Sequence, residues 1–258
     1  MCTIAILIDV LADAPVAIAA NRDELYDRPA RAPAVLGPGV VGGRDEVQGG
    51  SWLAVTVDGR FAAVTNQRDG VTARAPRSRG AWVTGVVAAG DRAAMRAHVQ
   101  GLDPRQYASG NLVFGDATGV DVAYLRRDGT RALVALPPGI TVLANDRLDA
   151  AGQPKQATLT AALAEVRTWD QLRAHGPTAL ADHAIPAPVP PMAPGLPVPA
   201  AAWPALQAVC VHTARYGTRS ATLAAVRPGG VRGLAWADGP PCTAGFVDAT
   251  PLFTDLPR

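Results

Sequence analysis

Residues 2–24, CTIAILIDVLADAPVAIAANRDE, contain two apolar runs and end in a cluster of polar side chains. The runs at 2–9 and 16–21 alternate like a pair of strands around the turn former Pro15. The polar cluster at 21–24 directly follows the second run, and polar residues at a strand end need a structural or a chemical reason. The stretch therefore predicts a β-hairpin with charged groups at its end.

Cys2 can become a nucleophile through its position in the chain. A small residue at position two permits removal of Met1, which would give Cys2 a free α-amine beside its thiol. An α-amine has an ordinary pKa of about 7.7–8.0, so it can accept the thiol proton near neutral pH. A guanidinium nearby would favour the thiolate, and a carboxylate could orient both the guanidinium and the protonated α-amine. The structural alternatives are a buried first strand and a salt-bridged strand terminus.

Short β-type runs separated by turn residues dominate the rest of the chain. Asp58-Gly59 and Asp128-Gly129 each separate two runs, which is the strongest short signal for a tight antiparallel hairpin. The later predicted strands are 52–57, 60–65, 111–116, 120–126, 131–136, 140–144, 207–213, 219–227 and 231–237.

Helical apolar spacing is confined to about 80–100, where Asp91 could cap a second segment, and to 154–174. Helices between blocks of strands are typical of an α+β fold with mainly antiparallel sheets. Residues 176–204 are too proline-rich for a helix or a central strand and predict an extended, polyproline-like segment. A domain linker and a surface loop bordering a pocket both fit, and we take residues 1–258 as a single domain containing this loop.

Composition favours a globular protein that binds a small molecule. The chain has 258 residues, is 48% hydrophobic and carries a formal net charge of +2, which does not favour nucleic acid as a partner. The sequence contains no run of about eighteen apolar residues, so we expect no membrane span. The first residues lack the basic region of a signal peptide. Cys2, Cys210 and Cys242 form neither a disulfide framework nor a zinc knuckle, which favours a reducing cytoplasm. The single lysine, Lys155, is attributed to coding bias, and the sequence does not indicate an oligomeric state.

The sequence lacks the short motifs that indicate nucleotide binding, zinc proteases or α/β-hydrolases. Residues 37–42, GPGVVG, match GxGxxG literally, but no helical pattern follows, so we interpret them as a turn. Walker A, HExxH and GxSxG sequences do not occur. The histidines lack metal-ligand spacing, so the sequence predicts no metal site and no required cofactor. They are His98, His175, His183 and His212.

Four separated motifs together resemble one known family. In sequence order they are AANRDELYDRP, GGRDEVQGGSWLAV, GRFAAVTNQR and YGTRSATL. They are similar to the NRDE family, whose eukaryotic members are called transport and Golgi organisation proteins, and the resemblance runs from Met1 to about Thr222. It implies membership of the N-terminal-nucleophile hydrolase superfamily, with a four-layer αββα fold of two antiparallel sheets between helices.

The resemblance also implies roles for the residues of the first hairpin. In cysteine-type members such as penicillin V and bile-salt amidases, the first cysteine attacks an amide carbonyl and forms a thioester, which would be the role of Cys2. Those enzymes place Arg-Asn-x-Asp after the hairpin, whereas this chain has Asn21-Arg22-Asp23-Glu24, so the match can slip by one residue. In an extended strand, Arg22 and Glu24 share one face and Asn21 and Asp23 the other, and either pair could meet Cys2.

Further candidates lie later in the chain. Asn145 follows the apolar run TVLA where those amidases keep an asparagine that binds the oxyanion, with Asn66 and Asn111 as rivals. Arg219, in YGTRSATL, resembles a late arginine of the same amidases and would raise the positive potential around a thiolate. Trp52 belongs to the core or lines a pocket beside its glycine turn.

Two functions from different classes follow from the resemblance. The first is hydrolysis of a non-peptide amide through Cys2. The second is carriage, because the family is associated with haem trafficking and with lipid or acyl-thioester metabolism; haem would then be a cargo, although no CxxCH motif or axial ligand stands out. A degenerate fold that binds other proteins is a third alternative. The sequence leaves open whether the protein is an enzyme, and on what substrate.

Overall fold

The computed structural model describes residues 2–68, 75–148, 150, 153–192, 196 and 198–257. More of the described residues lie in β-strands than in helices, and each strand pairs antiparallel with its neighbours. In chain order the strands are β1 (Cys2–Leu11), β2 (Ala14–Leu25), β3 (Ala30–Gly37), β4 (Val40–Asp45), β5 (Leu53–Thr56), β6 (Phe61–Asn66), β7 (Gly110–Asp116), β8 (Gly119–Leu125), β9 (Arg131–Ala135), β10 (Gly139–Leu143), β11 (Tyr216–Arg227), β12 (Gly230–Ala237) and β13 (Phe246–Asp248).

Helices occupy the predicted gaps between the strand blocks. The Asp91 side chain caps α2 by accepting a hydrogen bond from the backbone N–H of Ala94, as the sequence predicts. No described helix is long and apolar enough to cross a membrane. The α-helices are α1 (Gly80–Val87), α2 (Arg92–Gly101), α3 (Pro154–Leu163) and α4 (Trp169–Leu180), and single 3-10 turns lie at Pro104–Gln106, Ala200–Ala202, Ala205–Gln207 and Thr250–Phe253.

The strands form two sheets. One has the order β10-β1-β2-β11-β12-β13, and the other is a meander from β3 to β9 in sequence order. The Asp58-Gly59 and Asp128-Gly129 turns join β5 to β6 and β8 to β9, so both predicted hairpins are confirmed. β1 and β2 are interior strands of the first sheet, flanked by β10 and β11, so Cys2 begins an interior strand.

The core consists of three apolar layers: one between the two sheets, and one between each sheet and the pair of helices that covers it. Along β1, Ile4, Ile6 and Ile8 point into the layer between the sheets, whereas Ala5 and Leu7 point to the helices on the other face. Because both faces of this sheet are covered, its strands are almost continuously apolar. α3 and α4 cover the first sheet, and α1 and α2 cover the second. The result is the predicted αββα order of layers.

Three secondary-structure predictions need correction. Residues 207–213 are not a strand, because the backbone N–H of Cys210 bonds to the Asp182 carbonyl and not to a neighbouring strand. The predicted helix at 154–174 is two helices, α3 and α4. The proline-rich segment is helical at its start, because α4 continues through Pro177 to Leu180.

Three strands are absent from the sequence-based predictions: the short β13 and the neighbouring strands β3 and β4. β3 contains Pro33 and forms the edge of its sheet, where a residue without an N–H donor is tolerated. β3 pairs with β4, and Gly39, with a φ of 65°, lies in the turn between them. The turn predicted within 37–42 is formed by Pro38 and Gly39, and the other four residues belong to β3 and β4.

Candidate nucleophile site

The pairing of β1 with β2 places Cys2 directly opposite Arg22. Side chains of a strand alternate between the faces of its sheet, so the two residues share the face that looks toward the second sheet. Cys2 is half-buried, whereas Arg22 is buried. The arginine is thus the charged group that the first hairpin presents beside the sulfur atom.

Cys2 and Arg22 open into a small polar pocket of about 130 Å³ between the ends of the sheets. The carboxylates of Glu24 and Asp45 and the guanidinium of Arg28 lie at its wall. Arg28 forms a bidentate pair with Asp45, with N–O distances of 3.2 and 2.6 Å. The full lining is Cys2, Arg22, Asp23, Glu24, Arg28, Asp45, Gln48, Ser51, Trp52, Val64, Asn66, Ser78, Arg79 and Gly80.

Trp52 fixes the position of Arg22. The guanidinium carbon of Arg22 lies 4.3 Å from the centre of a Trp52 ring, in a cation–π contact. Trp52 also packs against Trp236, with ring centres 5.8 Å apart, and it lines the pocket. The two interpretations of Trp52, as core and as pocket wall, therefore both apply.

Gly43 leaves the space that Trp52 occupies. A Cβ atom at position 43 would overlap the Trp52 ring, whereas a Cβ at Gly37 on the adjacent strand would meet nothing within 4 Å. Gly43→Ala is expected to lower the free energy of unfolding by about 1–3 kcal/mol and to displace Trp52 from Arg22. Urea unfolding followed by tryptophan fluorescence measures both effects. Gly37→Ala is the matched control, and equal destabilisation by the two substitutions would contradict this role of Gly43.

Asp23 lies on the opposite face of the sheet, toward the helices. Its Oδ1 accepts a 2.7 Å hydrogen bond from the Thr218 hydroxyl, and its backbone carbonyl accepts one of 2.8 Å from the Tyr216 hydroxyl. Lys155 Nζ, from α3, lies 3.9 Å from Asp23 Oδ2 and donates to the Thr3 hydroxyl at 3.3 Å. Asp23 thus joins the first motif to the fourth, and it is among the residues that line the pocket.

Lys155 contacts Asp23 and Thr3 beside the site, a role that the sequence did not predict. It is almost completely buried, and burial lowers the pKa of its ammonium group, opposed by the Asp23 charge. Burial likewise raises the pKa of the Asp23 carboxyl, opposed by Lys155. A buried lysine is rare unless it is paired. The available signal was that this is the single lysine of the chain.

Asn21 holds the sheet to the segments behind it. Its side-chain amide donates to the carbonyls of Leu180 and Val209, at 2.8 and 3.0 Å. Asn21 is buried and does not line the pocket described above. Of the two faces that the sequence left open, the Arg22 and Glu24 face therefore meets the Cys2 side chain, and the Asn21 and Asp23 face meets the helices.

The three candidate asparagines differ in their surroundings. Asn66 lines the pocket with Cys2. Asn145 lies behind it, buried, and donates its amide to the Asn66 carbonyl at 2.9 Å. Asn111 is also buried; it donates to Thr65 and to two backbone carbonyls and accepts from Gln67, outside the pocket. Asn66 is thus the asparagine that lines the pocket, with Asn145 supporting its backbone.

Arg219 occupies a β-bulge. The register between β11 and β2 shifts between Thr218 and Ser220, so Arg219 is an extra residue opposite the Asp23–Arg22 step. Bulges are frequent next to active sites, where they re-aim a side chain. Arg219 is half-buried and is not among the residues that line the Cys2 pocket.

Burial dominates the acidity of the Cys2 thiol. It raises the pKa above the ordinary value of 9.0, and the Asp23 charge adds to this increase. The Arg22 charge and a hydrogen bond from the Asp23 backbone oppose the increase without cancelling it. The thiol is therefore protonated near neutral pH, and nucleophilic attack requires a base. The predicted removal of Met1 concerns a residue outside the described part of the chain.

A larger apolar groove adjoins the polar pocket. It has a volume of about 730 Å³, and its wall includes Leu25, Leu206 and Tyr216. Val198 and Pro199 of the proline-rich segment form part of this wall, so the segment borders a groove, as one of the two predicted alternatives requires. Asn66 lines both cavities and marks the place where they meet.

The order of the layers defines the class of protein: the chain has the N-terminal-nucleophile hydrolase fold. A solved structure of a mutant conjugated bile acid hydrolase from Clostridium perfringens superposes on it with a TM-score of 0.56. The two sequences are 10% identical, and the match covers 96% of this chain and 92% of the other. At this identity the likeness concerns the fold alone.

The family follows from the sequence itself. The profile of the Transport and Golgi organisation 2 family matches residues 1–232, and the chain belongs to this family. Transport and Golgi organization protein 2 homologs from Bos taurus and Homo sapiens are 32% and 29% identical to it over 140 residues. Each match spans 51% of this chain and 51% of the relative. The resemblance drawn from the four motifs is confirmed.

The structure explains why these four motifs occur together. Arg28 of the first motif pairs with Asp45 of the second, and Trp52 of the second contacts Arg22 of the first. The third motif contributes Asn66 to the pocket. The fourth motif contributes the hydroxyl groups that contact Asp23, from Tyr216 and Thr218. All four motifs thus meet around the start of β1.

Proposed function

We propose that the protein hydrolyses a non-peptide amide bond with Cys2 as the nucleophile. The observation that carries the proposal is the direct pairing of Cys2 with Arg22 at the wall of a polar pocket. Behind them, the buried Asp23 carboxylate is held by Thr218 and Lys155. A thiol beside a cation in a polar pocket, with a fixed carboxylate behind them, suits cysteine-based acyl transfer.

Because the pKa of the Cys2 thiol is raised, the reaction needs a base that accepts the thiol proton. After removal of Met1, the α-amine of Cys2 would accept the thiol proton, directly or through a water molecule. The sulfur then attacks the amide carbonyl, and the tetrahedral intermediate collapses to a thioester as the leaving amine takes up that proton. Water attacks the thioester in a second step, which releases the carboxylic acid and restores the thiol.

Other residues would bind the substrate and stabilise charge. Asn66 lines the pocket, and its side-chain amide would donate to the oxyanion, with Asn145 acting through its hydrogen bond to the Asn66 backbone. Arg22, held by Trp52, supplies positive charge beside the sulfur. The apolar groove that begins at Asn66 suits the hydrophobic acyl part of an amide substrate.

The experiment that tests this proposal combines intact-mass analysis with a panel of N-acyl amides of increasing chain length. The expected result is a purified protein without Met1 that releases amine and, after rapid quenching, carries an acyl adduct on the peptide containing Cys2. Hydrolytic activity from protein that retains Met1 would contradict the proposed base. Activity with the acyl adduct on another residue would contradict the proposed nucleophile.

The volume and the apolar wall of the groove favour a second candidate function, namely carriage of a hydrophobic ligand such as haem or an acyl thioester. This function predicts saturable binding of haemin or acyl-CoA that survives Cys2→Ser. Titration followed by absorbance or by tryptophan fluorescence measures it. Binding of neither ligand would exclude carriage of these cargoes while leaving the hydrolysis assay unaffected.

A further inference from the structure

A second cluster of reactive side chains lies outside the nucleophile pocket. Two histidines and two cysteines place one ligand atom each within 4.8 Å of all the others. They come from three separate segments: the loop after α4, the stretch before β11 and the turn after β12. The residues are His183, Cys210, His212 and Cys242.

The separations within the cluster match a metal coordination sphere. Cys210 Sγ lies 3.9 Å from Cys242 Sγ and 3.7 Å from His212 Nε2, and Cys242 Sγ lies 3.3 Å from His212 Nε2. A tetrahedral zinc ion with Zn–S of about 2.3 Å and Zn–N of about 2.0–2.1 Å gives ligand separations of about 3.3–3.8 Å. The sulfur atoms are much farther apart than the roughly 2.05 Å of a disulfide.

His183 is oriented as a metal ligand. Its Nδ1 lies 3.0 Å from the backbone carbonyl of Cys210, which can only accept a hydrogen bond, so Nδ1 carries the proton. The Nε2 atom of a neutral imidazole then keeps its lone pair for a metal. Metal-binding histidines commonly donate their second N–H to a carbonyl in this way. The rings of His183 and His212 are tilted by 56° to each other, with centres 4.9 Å apart.

We propose that a structural Zn²⁺ ion binds to these four side chains. Two thiolates and two imidazoles in a tetrahedron are the donor set that favours zinc over the harder cations. Four protein ligands leave no open position for a substrate, so the ion acts on structure. Cys242 lies beyond residue 232, where the family match ends, and the cluster is separate from the residues that line the Cys2 pocket.

The zinc ion would hold a segment that supports the nucleophile site. Val211, between two of the ligands, donates its backbone N–H to the Thr218 hydroxyl at 2.9 Å. That hydroxyl in turn donates to Asp23. The ion would also fasten the beginning of the proline-rich segment, through His183, to the turn that contains Cys242. Closing these loops stabilises the folded chain.

The test uses the full chain purified under reducing conditions, with Zn²⁺ and Co²⁺ as probes. We expect one Zn²⁺ per chain by elemental analysis. The Co²⁺ form should show thiolate-to-cobalt charge transfer and the d–d bands of a tetrahedral ion. Cys242→Ser and His212→Ala are expected to weaken binding at least about tenfold, measured by competition with a chelator. Both side chains are exposed, and circular dichroism checks that the variants fold.

Two control variants show whether a loss of zinc is specific to this cluster. His175→Ala removes an exposed histidine of α4 outside the cluster, and Cys2→Ser removes the proposed nucleophile; both should bind Zn²⁺ like the parent protein. A parent protein without stoichiometric zinc and without the cobalt spectrum would overturn the proposal. So would a Cys210–Cys242 disulfide in the reduced preparation, or equal weakening by His175→Ala. Retained zinc with no hydrolysis would count against the proposed function alone.

Discussion

Cys2→Ser is expected to lower kcat/KM for amide hydrolysis by at least about 10³-fold, because a hydroxyl beside the same α-amine is a far weaker nucleophile than a thiol. The pocket, Arg22 and the Asp23 network should remain in place, because the two side chains differ by one atom. Steady-state kinetics on the best amide of the panel measures the loss. Quenched reactions of the variant should show no acyl adduct on the N-terminal peptide.

Comparison with Cys2→Ala separates chemistry from folding. Alanine removes any nucleophile from position 2, so its residual activity sets the background of the assay. Glu165→Gln, at a side chain that is 97% exposed, controls for preparation and is expected to keep full activity. If Cys2→Ala retained more than a tenth of the parent kcat/KM, another residue would have to be the nucleophile.

Lys155→Met is expected to lower the free energy of unfolding by about 3 kcal/mol. The substitution keeps the volume of the side chain but removes the buried cation that offsets the Asp23 carboxylate, and disrupting a buried ion pair is strongly destabilising. Urea unfolding gives the free energy. The exposed substitution Glu165→Gln should change it by less than about 0.5 kcal/mol.

The double variant Asp23→Asn/Lys155→Met tests the cause of this loss. Replacing both charges removes the carboxylate that loses its Lys155 partner in the single variant, so the double variant should be more stable than the sum of the two single effects predicts. Purely additive effects would show that the two charges do not interact, and that Lys155 contributes only by packing.

Much of the fold could be predicted because apolar alternation reports directly which residues are buried. The same signal misled at 207–213, where Val209 and Val211 are buried but their segment is a loop. There the backbone bonds go to Asp182, to the Thr218 side chain and to the Asn21 amide, none of which is adjacent in sequence. In residues 207–213, local periodicity therefore predicts which side chains are buried but wrongly predicts that the backbone pairs as a strand.

The site was harder to predict than the fold, because its members meet only after folding. The motifs indicated Cys2, Arg22 and Trp52, but an isolated strand does not specify which of its faces meets which layer. Lys155 is 152 residues from its partner Thr3, and it was attributed to coding bias. The ligands around Cys210 lack any recognisable spacing, since 27 residues separate it from His183 and 32 from Cys242.

The pairing register of β2 makes the length of the first turn as important as any single side chain. Arg22 faces the sulfur and Asp23 faces the helices only because the β1–β2 hairpin closes at Leu11 and Ala14. A slip of one residue would exchange these environments, leaving a carboxylate in the pocket and a guanidinium among the helices. Natural variation in such a hairpin should therefore favour substitutions over insertions and deletions. The number of residues between Cys2 and Arg22 would then stay constant among related sequences.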